Sequence, residues 1–460
     1  MRTRFVLAAA AGVVALLAAG CGGGSGTATP GATGGAASVA PASSVAFVAL
    51  DTDLASSQWQ TVNGLLAKLP GGSALLTQLR QRLEQKSSLS WANDVQPAVG
   101  SELDVAVLPA AANGKPEAVA LVRPADPAKL DALLATLGSG ATKPLTAQVG
   151  GWTAIASTQA ALDAVTSATS HLDGSSLYQA ASAKLASDAL VTAYANGAEA
   201  RRLVGALGGT TPSAPRLDWA AGDVVASSGG LKVDGFVSAA SGTPTQPYDA
   251  ALLQKIPSGQ LLVADFQANR DATDSTASPA SPLVGTLGKV AGTLGGESAL
   301  YVSPAAPIPA VTLVTQSSDP QQTLDAIEGA LRSAGSQAGG GIGSFLGALT
   351  LSHATVGSYL VVSTSQQQVA AFEGSGVKLA DDPAFQAARS ASGMPAKTSG
   401  FVYVNLKDAL PAVQGLASLA GGSLQLPSGL DLSALRSLTA YGSGSSGGVS
   451  SFTVFLSEQS

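Results

Sequence analysis

The chain has one cysteine, two histidines and two methionines in 460 residues, and only 12% of its residues are charged. Each shortage removes a class of chemistry. A single thiol cannot close an intramolecular disulfide, so a folded body must be held by packing alone. His171, His353 and one thiol cannot make up the Cys/His sets of structural zinc sites, and neither histidine stands in an HxxxH spacing. Net charge is −6 and grows more acidic once Arg2 and Arg4 at the start are set aside. That balance argues against a nucleic-acid partner and against electrostatic attachment to anionic lipid. A bilayer-spanning run of about 20 apolar residues is also missing. The run from Phe5 to Ala19 is too short, and Ala299–Thr315 is broken by Pro304, Pro307 and Pro309, so it reads as two strands around a proline-rich turn.

The lone cysteine is well placed. Arg2 and Arg4, the apolar run Phe5–Ala19, then Gly20 and Cys21 make a basic n-region, a short h-region and a small-residue cleavage site. Leu17-Ala18-Ala19-Gly20-Cys21 resembles the bacterial lipobox, with Ala18 where the consensus prefers Leu, Val or Ile. Residues 1–20 are therefore expected to be a lipoprotein signal peptide and Cys21 the lipidation site. One acyl chain binds a membrane only marginally, and a diacylglyceryl cysteine supplies at least two. The expected location is the outer face of the cytoplasmic membrane. Residues 21–41 then read as the lipidated cysteine and a flexible tether, because Gly22–Pro41 is rich in Gly, Ala, Thr and Pro without apolar periodicity.

Beyond the tether, segments recur in the same order. Asp126-Pro127 leads to Leu130-Asp131-Ala132-Leu133, as Asp319-Pro320 leads to Leu324-Asp325-Ala326-Ile327. Both are helix starts, with Asp as N-cap and Pro at the first helical position, and Gly138 and Gly335 stand at candidate stops. Gly100–Val105 parallels Gly295–Leu300, Trp152–Thr158 parallels Tyr359–Thr364, and Leu177–Ala181 parallels Ala384–Ala388. Leu190–Asn196 parallels Phe401–Asn405, and Gly229-Gly230 and Gly447-Gly448 each precede a closing strand. The expected fold class is α+β: two tandem related domains, each a mainly antiparallel sheet with helices packed on one face. Their bounds are 42–241 and 257–460, joined by a linker over 242–256. Leu75, Leu76, Leu79 and Leu83 predict a helix over 74–85 in the first copy, and Gly335–Gly347 reads as a glycine-rich insert in the second.

The opening strand Ala46–Asp51 after Pro41, Trp91…Asp94-Val95-Gln96-Pro97…Gly100 and the glycine-led strand Gly151–Ser157 together resemble a family of uncharacterised bacterial lipoproteins, the domain of unknown function thirty-three fifty-two. The resemblance implies an exported, lipid-attached α+β protein and brings no catalytic residues. Low charge with abundant Gly and Ala fits a high-GC genome such as an actinobacterium's.

Motifs for chemistry are weak. Ser375-Gly-Val-Lys378 fits S-x-x-K and Lys397-Thr398-Ser399-Gly400 echoes K-T-G, but they stand too close together for the enzymes that use them. Gly339–Gly343…Gly347 follows a helix instead of opening one, which is the wrong context for a nucleotide loop. Asp51/Asp53 and Asp381/Asp382 could ligate a hard cation but read better as turn and cap residues, and Trp59, Trp91, Trp152 and Trp219 read as core anchors, one of which could line a ligand cleft. No catalytic, cofactor or metal residue is assigned. The expected function is non-enzymatic binding or scaffolding in the cell envelope. The partners considered are the membrane through Cys21, an envelope protein, or an apolar ligand such as a lipid. A carrier or chaperone for such a ligand is the alternative, and a wall or glycan hydrolase a third reading.

Overall fold

The computed structural model describes residues 35–458 apart from 73–76, 78–80, 82–88, 110–115, 138–143, 207–215, 240–245, 269–293, 306–307, 318, 339–349 and 420–431. Its strands are β1 (Ala46–Asp51), β2 (Glu102–Leu108), β3 (Glu117–Val122), β4 (Leu145–Val149), β5 (Trp152–Ala156), β6 (Val191–Asn196), β7 (Leu217–Ser227), β8 (Gly230–Ala239) and β9 (Tyr248–Asp249). They continue as β10 (Leu262–Ala268), β11 (Gly295–Ser303), β12 (Ala310–Gln316), β13 (Ser352–Val356), β14 (Tyr359–Ser363), β15 (Lys397–Thr398), β16 (Gly400–Asn405), β17 (Leu435–Ser446) and β18 (Val449–Glu458). β9 and β15 pair as a short ribbon, and the other strands form one 16-stranded sheet.

Every neighbouring pair in that sheet is antiparallel. Read outward from the β8–β18 seam, one side runs β8-β7-β6-β1-β2-β3-β5-β4 and the other β18-β17-β16-β10-β11-β12-β14-β13. The two paths visit their strands in the same chain order. At the seam Asp234 lies opposite Thr453 and Gly235 opposite Phe452. A Cβ at Gly235 would meet the Phe452 ring at 2.2 Å, so as it stands the ring lies across the bare glycine.

Two expectations change here. Two separate sheets are replaced by one, because β8 and β18 are long edges whose free N–H and C=O groups satisfy each other. Helices cover both faces rather than one, because residues of both parities are apolar: Ala46, Phe47, Val48 and Ala49 are all buried. Helices Gln159–Thr166 and Ser176–Ser182 pack with Phe47, Leu121, Trp152 and Tyr194, and Gln366–Glu373 and Pro383–Ser392 with Tyr301, Val314 and Tyr403. On the opposite face Pro127–Leu137 packs on Val122 and Ile155, and Pro320–Ala338 on Leu360 and Val362. Both of these helices open as the sequence reads, with Asp126 Oδ1 accepting from Ala128 N and Asp319 Oδ1 from Gln322 N. The second runs through Gly335 to Ala338, so that glycine is no stop.

The C-terminal end of the expected tether is packed. Gly35–Ser38 is a 3-10 turn, and Ala36, Ala37, Val39 and Ala40 are buried in the first core. Pro41 bridges to His171. Small apolar side chains fit there where larger ones would not, so low periodicity misread a packed segment as linker. Likewise Leu252, Leu253 and Ile256 of the expected 242–256 linker are core residues, and Pro257 bridges to Lys378. Cys21, the expected 74–85 helix apart from Thr77 and Gln81, and Gly339–Gly347 lie outside the described residues.

Candidate functional site

One row of residues crosses the whole sheet in register. From β2 to β11 it reads Asp104, Ala49, Thr192, Asp223, Asp234, Thr453, Tyr441, Phe401, Asp265 and Ala299. Residues directly opposite in a ladder share a face, so four aspartates line up beneath one helical layer.

Three of the four are almost sealed. Asp104 is 0% exposed, Asp265 2% and Asp223 3%, and each has one carboxylate oxygen without a hydrogen-bond partner. Burial, reinforced by the neighbouring Glu102 charge, holds the Asp104 carboxyl well above the usual carboxylate range. Its Oδ2 accepts from Ala36 N at 3.1 Å, while Glu102 Oε1 accepts from Gly35 N at 3.2 Å. These two carboxylates hold the 3-10 turn against Trp152, whose ring also carries the Arg123 guanidinium at 4.2 Å. Burial pushes the Asp265 carboxyl up to about 7 against the hydrogen bond from Tyr248 Oη. Its neighbour Glu297, raised by burial, accepts from Leu252 N at 2.8 Å. Burial pushes the Asp223 carboxyl up to about 6, and its Oδ2 accepts from Ala186 N at 2.7 Å. At the seam, Asp234 takes Thr453 Oγ1 at 2.6 Å and Lys232 Nζ at 2.7 Å.

Over Ala49 and Thr192 the same face opens into a cleft of about 280 Å³, walled by Asp51, Ser56, Ser57, Gln58, Ser101, Glu102, Ser187 and Asp188. Its lining holds three carboxylates and no lysine or arginine. Asp51 Oδ1 accepts from Asp53 N and Oδ2 from Ser56 Oγ, Trp59 Nε1 donates to Asp51 O, and Gln58 joins Asp188 Oδ2 to Ala226 N. The carboxylates are fixed as acceptors.

Other residues singled out in the sequence do not converge on the cleft. Asp53 caps a turn through Ala55 N, and Asp382 caps the Pro383–Ser392 helix while accepting from Gly259 N. Lys378 Nζ donates to Ala371 O and Phe372 O, closing a helix end, and Lys397 pairs with Asp249, so neither activates Ser375. His171 precedes a 3-10 turn and His353 is exposed on β13. Trp152 and Trp219 are buried in the first core, as expected of anchors, whereas Trp59 and Trp91 are half-buried. Among the described residues no group of three or more His, Cys, Asp or Glu side chains could hold a metal ion, and no helix is long and apolar enough to cross a membrane. Asp104, Asp223 and Asp265 escaped the sequence reading, although each is a lone Asp inside an apolar strand (Leu-Asp-Val, Gly-Asp-Val, Ala-Asp-Phe) of a chain poor in charge.

These features define a mixed helix-and-strand protein built on a large antiparallel sheet with an acidic surface cleft. Residues 3–148 match the family model described as Protein of unknown function (DUF3352), so the resemblance read from the sequence holds over that stretch. No curated protein and no solved structure matches the chain.

Proposed function

We propose that this is an exported, lipid-anchored protein of the cell envelope that acts by non-enzymatic binding or scaffolding, and that its two halves are copies of one unit. The carrying observation is Cys21 in its lipobox-like setting, a short way before the packed 3-10 turn Gly35–Ser38. Residues 22–34 can span no more than about 45 Å, so the anchor keeps the body close to the bilayer. The common strand path supports the duplication. So do 3-10 turns at Gly35–Ser38 and Ala251–Gln254, each donating a backbone N–H to a strand glutamate, Glu102 or Glu297, and register shifts at Leu217/Trp219 and Leu435/Ser437.

Binding is favoured over catalysis because the cleft carboxylates are tied to local donors instead of standing free as an acid and a base. Its serines and carboxylates suit a polar ligand better than the apolar one a lipid carrier needs. Acyl-probe labelling and membrane fractionation test the anchor. The wild-type chain should label and sediment with membranes, and Cys21→Ser should do neither. Membrane retention of Cys21→Ser would sink the reading.

A further inference from the structure

We propose that Glu102 and Asp104 form a proton-controlled latch on the Gly35–Ser38 turn, holding it docked at acidic pH and releasing it at alkaline pH. The two carboxyls lie two residues apart on β2, so they share a face. Glu102 Oε1 accepts from Gly35 N and Asp104 Oδ2 from Ala36 N. Asp104 is 0% exposed behind the docked turn, and its Oδ1 has no partner. Two carboxylates offer only acceptors, so a bond between them needs a proton. Asp104 and Glu102 stand within reach of such a bond. Losing the proton leaves one buried charge beside another, and undocking the turn lets water reach both. Burial first, then the Glu102 charge, raises the Asp104 carboxyl, so the docked state binds the proton more tightly than the undocked one. Docking is therefore fully favoured below the ordinary carboxylate range and weakens as pH rises through the raised value. Little apolar surface opposes release, because the buried side chains of the segment are Ala36, Ala37, Val39 and Ala40.

Among the described residues neither carboxyl has an ion-pair partner, and Arg123, which also acts on Asp104, lies over the Trp152 ring. β1 puts Asp51 opposite Glu102, and β3 puts Glu117 opposite Leu108. The helix Gln159–Thr166 and the turn Leu172–Gly174 bring only the exposed Asp163 and Asp173, and His171 bridges to Pro41. The Gly35–Ser38 turn and β5 bring no charge. On the anchored-protein reading, release of Gly35–Ala40 adds about 20 Å to the reach from Cys21.

Hydrogen–deuterium exchange of the full chain in mild detergent, in steps from about pH 5 to about pH 9, tests this, each rate being divided by the intrinsic rate at that pH. The Gly35, Ala36, Val39 and Ala40 amides are all hydrogen-bonded, and their protection should fall about tenfold or more across that range. Protection of the buried β3 residues Val119 and Leu121 should not fall with it. Asp104→Asn should abolish the fall, and His171→Gln should leave it in place. If Asp104→Asn folds poorly, Glu102→Gln stands as the test and should move the fall to lower pH, because the charge beside Asp104 is gone. Unchanged protection, an equal fall in β3, or a pH response that survives Asp104→Asn would overturn the latch. So would loss of the response in His171→Gln, or an unmoved fall in Glu102→Gln. Exchange reads docking whether or not Cys21 is acylated, so failure here is distinguishable from failure of the anchored-protein reading.

Discussion

The two sides of the sheet carry the same kind of acid pair in different ways. On the first side, Ala49 on β1 faces Asp104 on β2, and on the second Asp265 on β10 faces Ala299 on β11. The aspartate stands on the other strand of the pair, yet each lies beside a glutamate, Glu102 or Glu297, that holds a 3-10 turn. The space above the pair differs too. The first side puts Ala49 and Thr192 there and leaves a cleft, whereas along the same row the second has Phe401 and the Tyr248–Asp265 contact. Corresponding places in the strand order can thus hold a cleft on one side and an aromatic side chain on the other. Two side chains decide which.

The largest effect expected is at Trp152, which is 0% exposed and backs the Gly35 turn. Trp152→Ala should cost about 3–5 kcal/mol in urea unfolding, and Tyr359→Ala at the same place in β14 should cost less. Equal costs would break the contrast between the sides. Next, Phe401→Thr should cost about 3 kcal/mol as a large-to-small core change. The reverse swap, Thr192→Phe, should cost under about 1 kcal/mol because it extends into the cleft. A large loss of stability from Thr192→Phe would mean that the cleft is not open in solution.

A third effect depends on pH. The Asp265 carboxyl sits at about 7, against 3.8 for an unperturbed aspartate. The folded state therefore holds a proton that the unfolded chain releases, and the stability this provides is full below about pH 4 and lost as pH rises through 7. Asp265→Asn removes that loss, so it should stabilise by on the order of 2 kcal/mol at pH 8 and by little at pH 5. A pH-independent difference in melting temperature would contradict it. The smallest effect is expected at the exposed Lys397–Asp249 pair, where Lys397→Ala should change stability by less than about 1 kcal/mol.

Much of the fold was legible in the sequence. Asp-Pro helix starts and strands bounded by Gly-Gly turns are local signals, and the elements fall where those signals stand. Two features were not local. Whether two units share one sheet depends on an edge such as β8 finding β18, a contact between residues more than two hundred positions apart. Whether Gly35–Pro41 is tether or core depends on Glu102, Asp104 and Trp152, which lie far along the chain. The cleft was illegible for the same reason: Asp51, Glu102 and Asp188 come from three separated segments, and Asp51, though noticed, read as a turn residue.

The place of β18 in the sheet has a consequence for synthesis. Its residues, Val449–Glu458, are made after the other described strands, yet β18 lies between β17 and β8 in the middle of the order. Until those residues emerge, β8 and β17 remain two long bare edges, the kind that pairs with other chains. The folding chain thus keeps two adhesive edges until β18 slides into the gap. A ribosome that stops short of residue 449 would release a molecule with most of its core and a template for aggregation.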